Sequence, residues 1–326
     1  PRFGGLYGPE ETAVLSLSNA SPADTLLITD AFGNQILKRA LTAAEVASGK
    51  VTLTRRDLGG RFGCFSASAV AQGSVESPLP QSFCFLTSNA VEPVHWVGTV
   101  THDGHGWGKG DCRFVDILAQ AGIGCVRDEP KWAACERSKG EYALPPAFDR
   151  YVNALCAKGI KLNLLLDYTN GIYENPVDPD GFAAWAAWMG TALKGRVDRF
   201  EIWNEPGNFH FRRIYGGSRF GDSPWVRAFV AFTRRADDAL HAVRPDALIS
   251  VCAEDAESTL EAMIGHGTAR AHNAVAFHPY CHAQMRPERE MWFRDGGRRM
   301  RELMAANGGA MKVAATEMGW TTFKPG

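Results

Sequence analysis

Two carboxylic acids occupy positions from which they could do chemistry. Glu205 closes the run Arg199-Phe200-Glu201-Ile202-Trp203-Asn204-Glu205-Pro206. That run reads as a short buried strand, stopped by a proline that can neither donate to a ladder nor continue it. Glu317 has a similar setting in Val313-Ala314-Ala315-Thr316-Glu317-Met318-Gly319-Trp320. Two acids, each at the end of its own strand, are suited to cleaving a glycosidic bond: one protonates the leaving oxygen and the other attacks or stabilises the sugar carbon. Glu205, partly buried and beside a second negative charge, is expected to have a raised pKa and to keep its proton. Glu317 must stay ionised to be a nucleophile, and a donor such as Arg127 or Tyr280 would hold it so.

Other strand ends supply the rest of a cleft. His102 follows one run, Arg127 closes another, and Asp167 and Tyr168 follow a third. Asn204 precedes Glu205 and could donate to the sugar 2-hydroxyl. His278 and Tyr280 follow a sixth run, and Trp320 follows Glu317. Trp320, Trp107, Trp132 and Tyr168 could stack on sugar faces. His278 and His282 have the i, i+4 spacing of a metal pair on a helix, but Pro279 and the strand context argue against a metal site.

The elements that must position these residues follow from the patterning. From about residue 94, apolar strand-like runs alternate with amphipathic stretches. The strands fall at 95–100, 124–128, 161–168, 199–205, 247–254, 274–280 and 312–320, and the helices at 111–121, 147–158, 180–194, 225–243, 256–265 and 288–306. Repeated βα units predict a parallel sheet, and polar residues gathered at the strand ends predict a (β/α)8 TIM barrel over 94–326. Only seven strands are visible. Residues 1–90 differ, with short alternating runs at 13–18, 25–29, 50–54 and 64–70 punctuated by turn residues, which predicts a small all-β, sandwich-like domain.

Composition bounds the function. The chain has 326 residues and a formal net charge of -1, so no basic field favours nucleic acid or an acidic membrane surface. No apolar stretch is long enough to span a membrane. The eight cysteines include no Cys-x-x-Cys pair. Buried free thiols are the expectation, and structural zinc is not. That leans toward a reducing compartment, or toward a secreted protein that tolerates thiols. A secreted or periplasmic location is compatible with the sequence, which carries no signal-peptide pattern and assigns no compartment. The start without methionine, and the end soon after Glu317 with no closing element, read as a fragment. Oligomeric state is not legible.

Five stretches carry a resemblance to a known group. They are Ala121 to Glu129, Lys158 to Asn170, Glu201 to Pro206, Phe277-His278-Pro279-Tyr280 and Thr316 to Trp320. Together they resemble clan A of the glycoside hydrolases over roughly residues 94–320. Within the clan the chain looks most like family 39, which holds β-xylosidases, α-L-iduronidase and bacterial polysaccharide-hydrolase relatives. The resemblance implies Glu205 as acid/base, Glu317 as nucleophile, double displacement with net retention, a carbohydrate substrate and no cofactor. The expected activity is therefore retaining hydrolysis of a β-linked oligo- or polysaccharide. A transglycosylase would use the same residues, and a carbohydrate-binding protein on a degenerate barrel is the non-enzymatic alternative. The β-domain precedes the barrel here, whereas family 39 xylosidases carry theirs mainly after it.

Overall fold

The structure, a computed structural model, describes residues 3–71, 81–87, 92–104, 111–208, 210–253, 257–268, 273–280, 290–308 and 312–318. The chain divides into two compact units: residues 1–93 with 113–123, and residues 94–112 with 124–326.

In the first unit the strands are β1 (Leu6–Tyr7), β2 (Ala13–Ser16), β3 (Thr25–Asp30) and β4 (Gln35–Ala40), then the short helix α1 (Ala43–Ser48), then β5 (Lys50–Leu53), β6 (Gly63–Val70) and β7 (Gln81–Phe85). Five of them form one sheet in the order β1-β7-β6-β3-β4, and β2 pairs with β5 in a second. Alternation drives the layering. Leu26 and Ile28 on β3, Phe65 and Ala67 on β6, and Phe83 and Phe85 on β7 turn to a common core with Leu15, Val51 and Leu53. Helix α1 is held by a capping box between Thr42 and Glu45 and ends on Gly49 in the left-handed region at φ 64. The small β domain expected here is present. Helix α2 (Arg113–Gln120) groups with this unit.

The second unit holds a seven-stranded sheet. Its strands are β8 (Val94–Val100), β9 (Ile123–Asp128), β12 (Lys161–Leu166), β13 (Arg199–Ile202), β14 (Leu248–Cys252), β15 (Ala274–Phe277) and β16 (Lys312–Ala315). A small hairpin, β10 (Glu136–Ser138) with β11 (Glu141–Tyr142), lies outside it. The helices are α3 (Trp132–Cys135), α4 (Pro146–Ala157), α5 (Pro179–Ala192), α6 (His210–Tyr215), α7 (Pro224–Val243), α8 (Glu257–Gly265) and α9 (Glu290–Ala306). Neighbouring strands from β9 to β16 pair in parallel, in strict chain order. A doubly wound open sheet would reverse its order at a switch point, and this one does not. It is a partial TIM barrel, seven strands curled with helices around them. No eighth strand occurs among the described residues.

Close backbone approach fixes the start of the barrel: a Cβ on Gly124 would come within 2.5 Å of the Val94 carbonyl carbon, so only glycine fits there. The longest helix, α7, buries Trp225, Phe229, Phe232, Ala236 and Leu240, a stripe at helical spacing. Helix α5 starts on Asp178, whose side chain accepts from the Gly181 amide at 2.7 Å, with Pro179 in the first turn.

Candidate active site

Arg127 organises the site from the end of β9. Its Nε and Nη2 donate to the two oxygens of Glu201 at 3.0 and 2.9 Å, a bidentate pair. Nη2 also donates to Asn204 Oδ1 at 2.9 Å, and Nη1 donates to Glu317 Oε1 at 2.6 Å. Arg127 is buried and Glu201 is fully so. Glu201 gains two further donors, Asn163 Nδ2 at 2.8 Å and Thr316 Oγ1 at 3.1 Å. The buried charge pair is thus satisfied on every side, which is the condition under which such a pair is tolerated. Register explains the convergence: Arg127 is level with Asn163 across β9 and β12, and the strand that carries Glu201 lies next to β12.

Glu317 is held twice, by Arg127 and by the Tyr280 hydroxyl, which donates to its Oε2 at 3.0 Å. The expectation that Arg127 and Tyr280 sit on Glu317 is met by these contacts. Arg127 does not pair with Asp128. That acid instead accepts from Thr101 Oγ1 and from the amides of Asp103, Gly104 and Glu129, and so ties down the turn after β8.

Glu205 is held by His278, whose Nδ1 lies 2.9 Å from its Oε1, and by Asn208 Nδ2 on its Oε2. The same His278 nitrogen is 3.7 Å from Glu317 Oε2. Glu205, His278 and Glu317 thus each present an atom within 4.8 Å of the others. Here the structure corrects the expectation for Glu205. Its pKa is lowered, because the hydrogen bond from His278 favours the carboxylate by more than burial disfavours it. Burial alone would lower His278, but Cys252, Glu205 and Glu317 raise it to about 11. The resting pair is a carboxylate facing an imidazolium. Cys252 Sγ lies 3.9 Å from His278 Nε2. The Glu205, His278 and Glu317 cluster has metal-ligand spacing, but Arg127 already places a cation on Glu317, so a second cation there would be repelled.

Strained backbone aims the acid. Trp203 and Glu205 both have positive φ, 68° and 43°. Such conformations persist only where surrounding structure over-determines them. Trp203 supplies that constraint: fully buried, it lies among Phe182, Phe211 and Phe232. Asn204, fixed through its oxygen by Arg127, keeps its amide N–H2 group as the donor end.

The remaining sequence candidates have differing settings; Asp167 and Tyr168 are near enough to feel the Arg127 charge. Tyr168 packs edge-on against Trp203 and lies against His210. Asp167 is fully buried, and desolvation, then Glu129, raise its pKa well above the carboxylate range. His102 is partly exposed, with Nδ1 3.8 Å from Glu129 Oε1. Trp132 is not a stacking surface. It is fully buried, its ring lies against Tyr173 and Trp185, and its Nε1 donates to Glu136 Oε2 at 2.5 Å. Trp320, Trp107 and His282 lie outside the described residues.

Sequence reasoning missed Glu201, Asn163, Thr316 and Asn208. A signal existed for the first two, since a polar side chain in the middle of an apolar strand must find a partner when buried. The described cysteines are free thiols, but only Cys135 and Cys252 are buried; Cys64 and Cys156 are exposed and Cys84, Cys112 and Cys125 half-buried, contrary to the expectation of burial.

The fold is shared with clan A glycoside hydrolases. The chain is similar to a family 39 glycoside hydrolase from the gut symbiont Bacteroides cellulosilyticus WH2, with a TM-score of 0.58 and 14% identity, over 86% of this chain and 57% of that one. It is also similar to a GH5-4 broad specificity endoglucanase from Clostridium acetobutylicum, with a TM-score of 0.51 and 14% identity, over 67% of this chain and 76% of that one. At that identity the likeness is one of fold. The chain spans little more than half the length of the family 39 structure. No protein-family model matches the sequence, and no curated protein matches it.

Proposed function

We propose that this chain carries the catalytic site of a retaining O-glycoside hydrolase acting on a β-linked oligo- or polysaccharide. The observation that carries the reading is the spacing of the two acids, whose facing oxygens lie within 4.8 Å. Retaining enzymes hold their carboxyl groups about 5–5.5 Å apart, and inverting ones about 6.5–9.5 Å, to admit a water between them.

The chemistry then runs in two displacements. A Glu317 oxygen attacks the anomeric carbon while a proton passes from the Glu205–His278 pair to the leaving oxygen. The bond to the leaving group breaks and a glycosyl ester forms on Glu317. Glu205, now the base, takes a proton from water, whose oxygen attacks the anomeric carbon and releases Glu317. Arg127 and Tyr280 orient the nucleophile, and Asn204 offers its N–H to the 2-hydroxyl. Side-chain exposures of 21% for Glu205 and 16% for Glu317 leave both acids reachable.

The test is chemical. A panel of activated 2-fluoro glycosides, in α and β configurations, is incubated with the protein and any covalent adduct is mapped by mass spectrometry. An ester on Glu317 is the expected result and identifies the sugar that fits. An ester on another residue, or turnover with inversion, would overturn the reading.

A further inference from the structure

The N-terminal unit carries two thiols that the site chemistry does not use. In the register of β6 against β7, Cys64 stands directly opposite Cys84, between the pairs Gly63–Phe85 and Phe65–Phe83. Opposed residues on antiparallel strands have Cα atoms about 4.5 or 5.5 Å apart, depending on the type of pair. A disulfide takes Cα separations of about 4.4–6.8 Å, a range that covers both types of pair.

Opposed side chains leave a sheet on the same face. Phe65 and Phe83 occupy the core face, with ring centroids 5.5 Å apart, so Cys64 and Cys84 take the other. Cys64 is exposed and Cys84 half-buried. Burial first, then the neighbouring Cys64 thiol, push Cys84 up to about 12. Where Cys125 and Cys252 sit in paired strands, their partners in register are Lys161 and Ala276, not cysteines.

We propose that Cys64 and Cys84 form a reversible cross-strand disulfide site, closed by exchange with a low-molecular-weight disulfide of the glutathione type. Exposed Cys64 is the entry point. Its thiolate attacks one sulfur of the small disulfide, that S–S bond breaks, and one small thiolate leaves. Cys84, which keeps its proton until the mixed disulfide forms, then loses it to solvent and attacks the Cys64 sulfur, expelling the second small thiolate. Two protein thiols are oxidised, one small disulfide is reduced to two thiols, and the released protons end on those thiols. The bridge pins β6 to β7 in the middle of the five-stranded sheet.

The experiment uses the full chain, incubated with oxidised glutathione, alkylated, and read by intact mass and peptide mapping. The expected product has lost two hydrogens, carries a Cys64–Cys84 linked peptide, and returns to the dithiol with dithiothreitol. Cys84→Ser should instead accumulate a stable glutathione adduct on Cys64, because the resolving thiol is gone. Closing this loop should also raise the unfolding midpoint of the β domain by roughly 10 °C or more. A stable glutathione adduct on Cys64 of the unmutated chain, or a bridge from either cysteine to a different one, would overturn the proposal. Both readouts come from unmutated protein, so a variant that fails to fold does not decide the matter.

Discussion

His278 Nδ1 lies 2.9 Å from Glu205 Oε1, and this contact sets the charge of the acid to which the proposed mechanism gives proton delivery. A carboxyl beside a second carboxyl is expected to hold its proton. An imidazole facing it takes that proton instead, so in the proposed mechanism the proton for the leaving group is stored on the pair and not on Glu205 alone.

A pH profile separates this arrangement from a merely structural histidine. The His278→Asn variant cannot store a proton. Its alkaline limb of kcat/KM should then reflect Glu205 alone and move to lower pH than in the unmutated protein. An alkaline limb that stays in place would count against proton storage by the pair.

Stability should depend on pH in the same region. His278 is raised from 6.5 to about 11 in the folded state. A raised group stabilises the fold while protonated. The contribution is therefore complete below pH 6.5 and is lost as pH rises toward about 11. Urea unfolding across that range should show the gap between the unmutated protein and His278→Asn closing on the alkaline side.

The two acids should fail differently. Glu317→Gln should cost roughly 10³-fold or more in kcat on every substrate, since no ester can form. Glu205→Ala should cost about 10²–10⁴-fold on glycosides with poor leaving groups, and far less in the first step with activated aryl glycosides. Steady-state and pre-steady-state rates on the two substrate types measure the difference, and equal losses would remove Glu205 from its role.

Arg127→Met strands Glu201 as a buried, uncompensated charge. Breaking such a pair costs about 3–5 kcal/mol, measurable by urea denaturation. Restoring neutrality with Glu201→Gln in the same chain should recover part of that loss but not the activity, because Glu317 still lacks its charged donor and keeps only the Tyr280 hydroxyl.

Trp203→Ala removes the wedge that holds the positive-φ turn. A loss of about 3–5 kcal/mol is expected from the cavity. Activity at temperatures where the variant remains folded should fall as well, because Glu205 is no longer aimed.

What was legible in the sequence was what short-range chemistry dictates. The seven barrel strands and the six helices read between them along the chain follow from apolar periodicity, and the observed bounds, such as Ile123–Asp128 and Pro224–Val243, differ from the reading by a residue or so at most ends. Strand ends were overextended toward the site, as at Arg199–Ile202, because Trp203 to Glu205 are apolar or strand-adjacent yet leave the ladder to turn. In the first unit β1 and β7 were missed, as were β4, an outer strand with mixed burial and no clean alternation, and α1, six residues long and too short to show a helical period. Glu205 and Glu317 could be named because a carboxyl ending an apolar strand is a local anomaly. Their partners could not. The Arg127–Glu317 bond joins residues 190 apart in the chain, and Glu201 meets Arg127 across 74. Which charges face one another depends on strand order and register, so only the tertiary structure decided that His278 ionises Glu205 and that Trp132 belongs to the core.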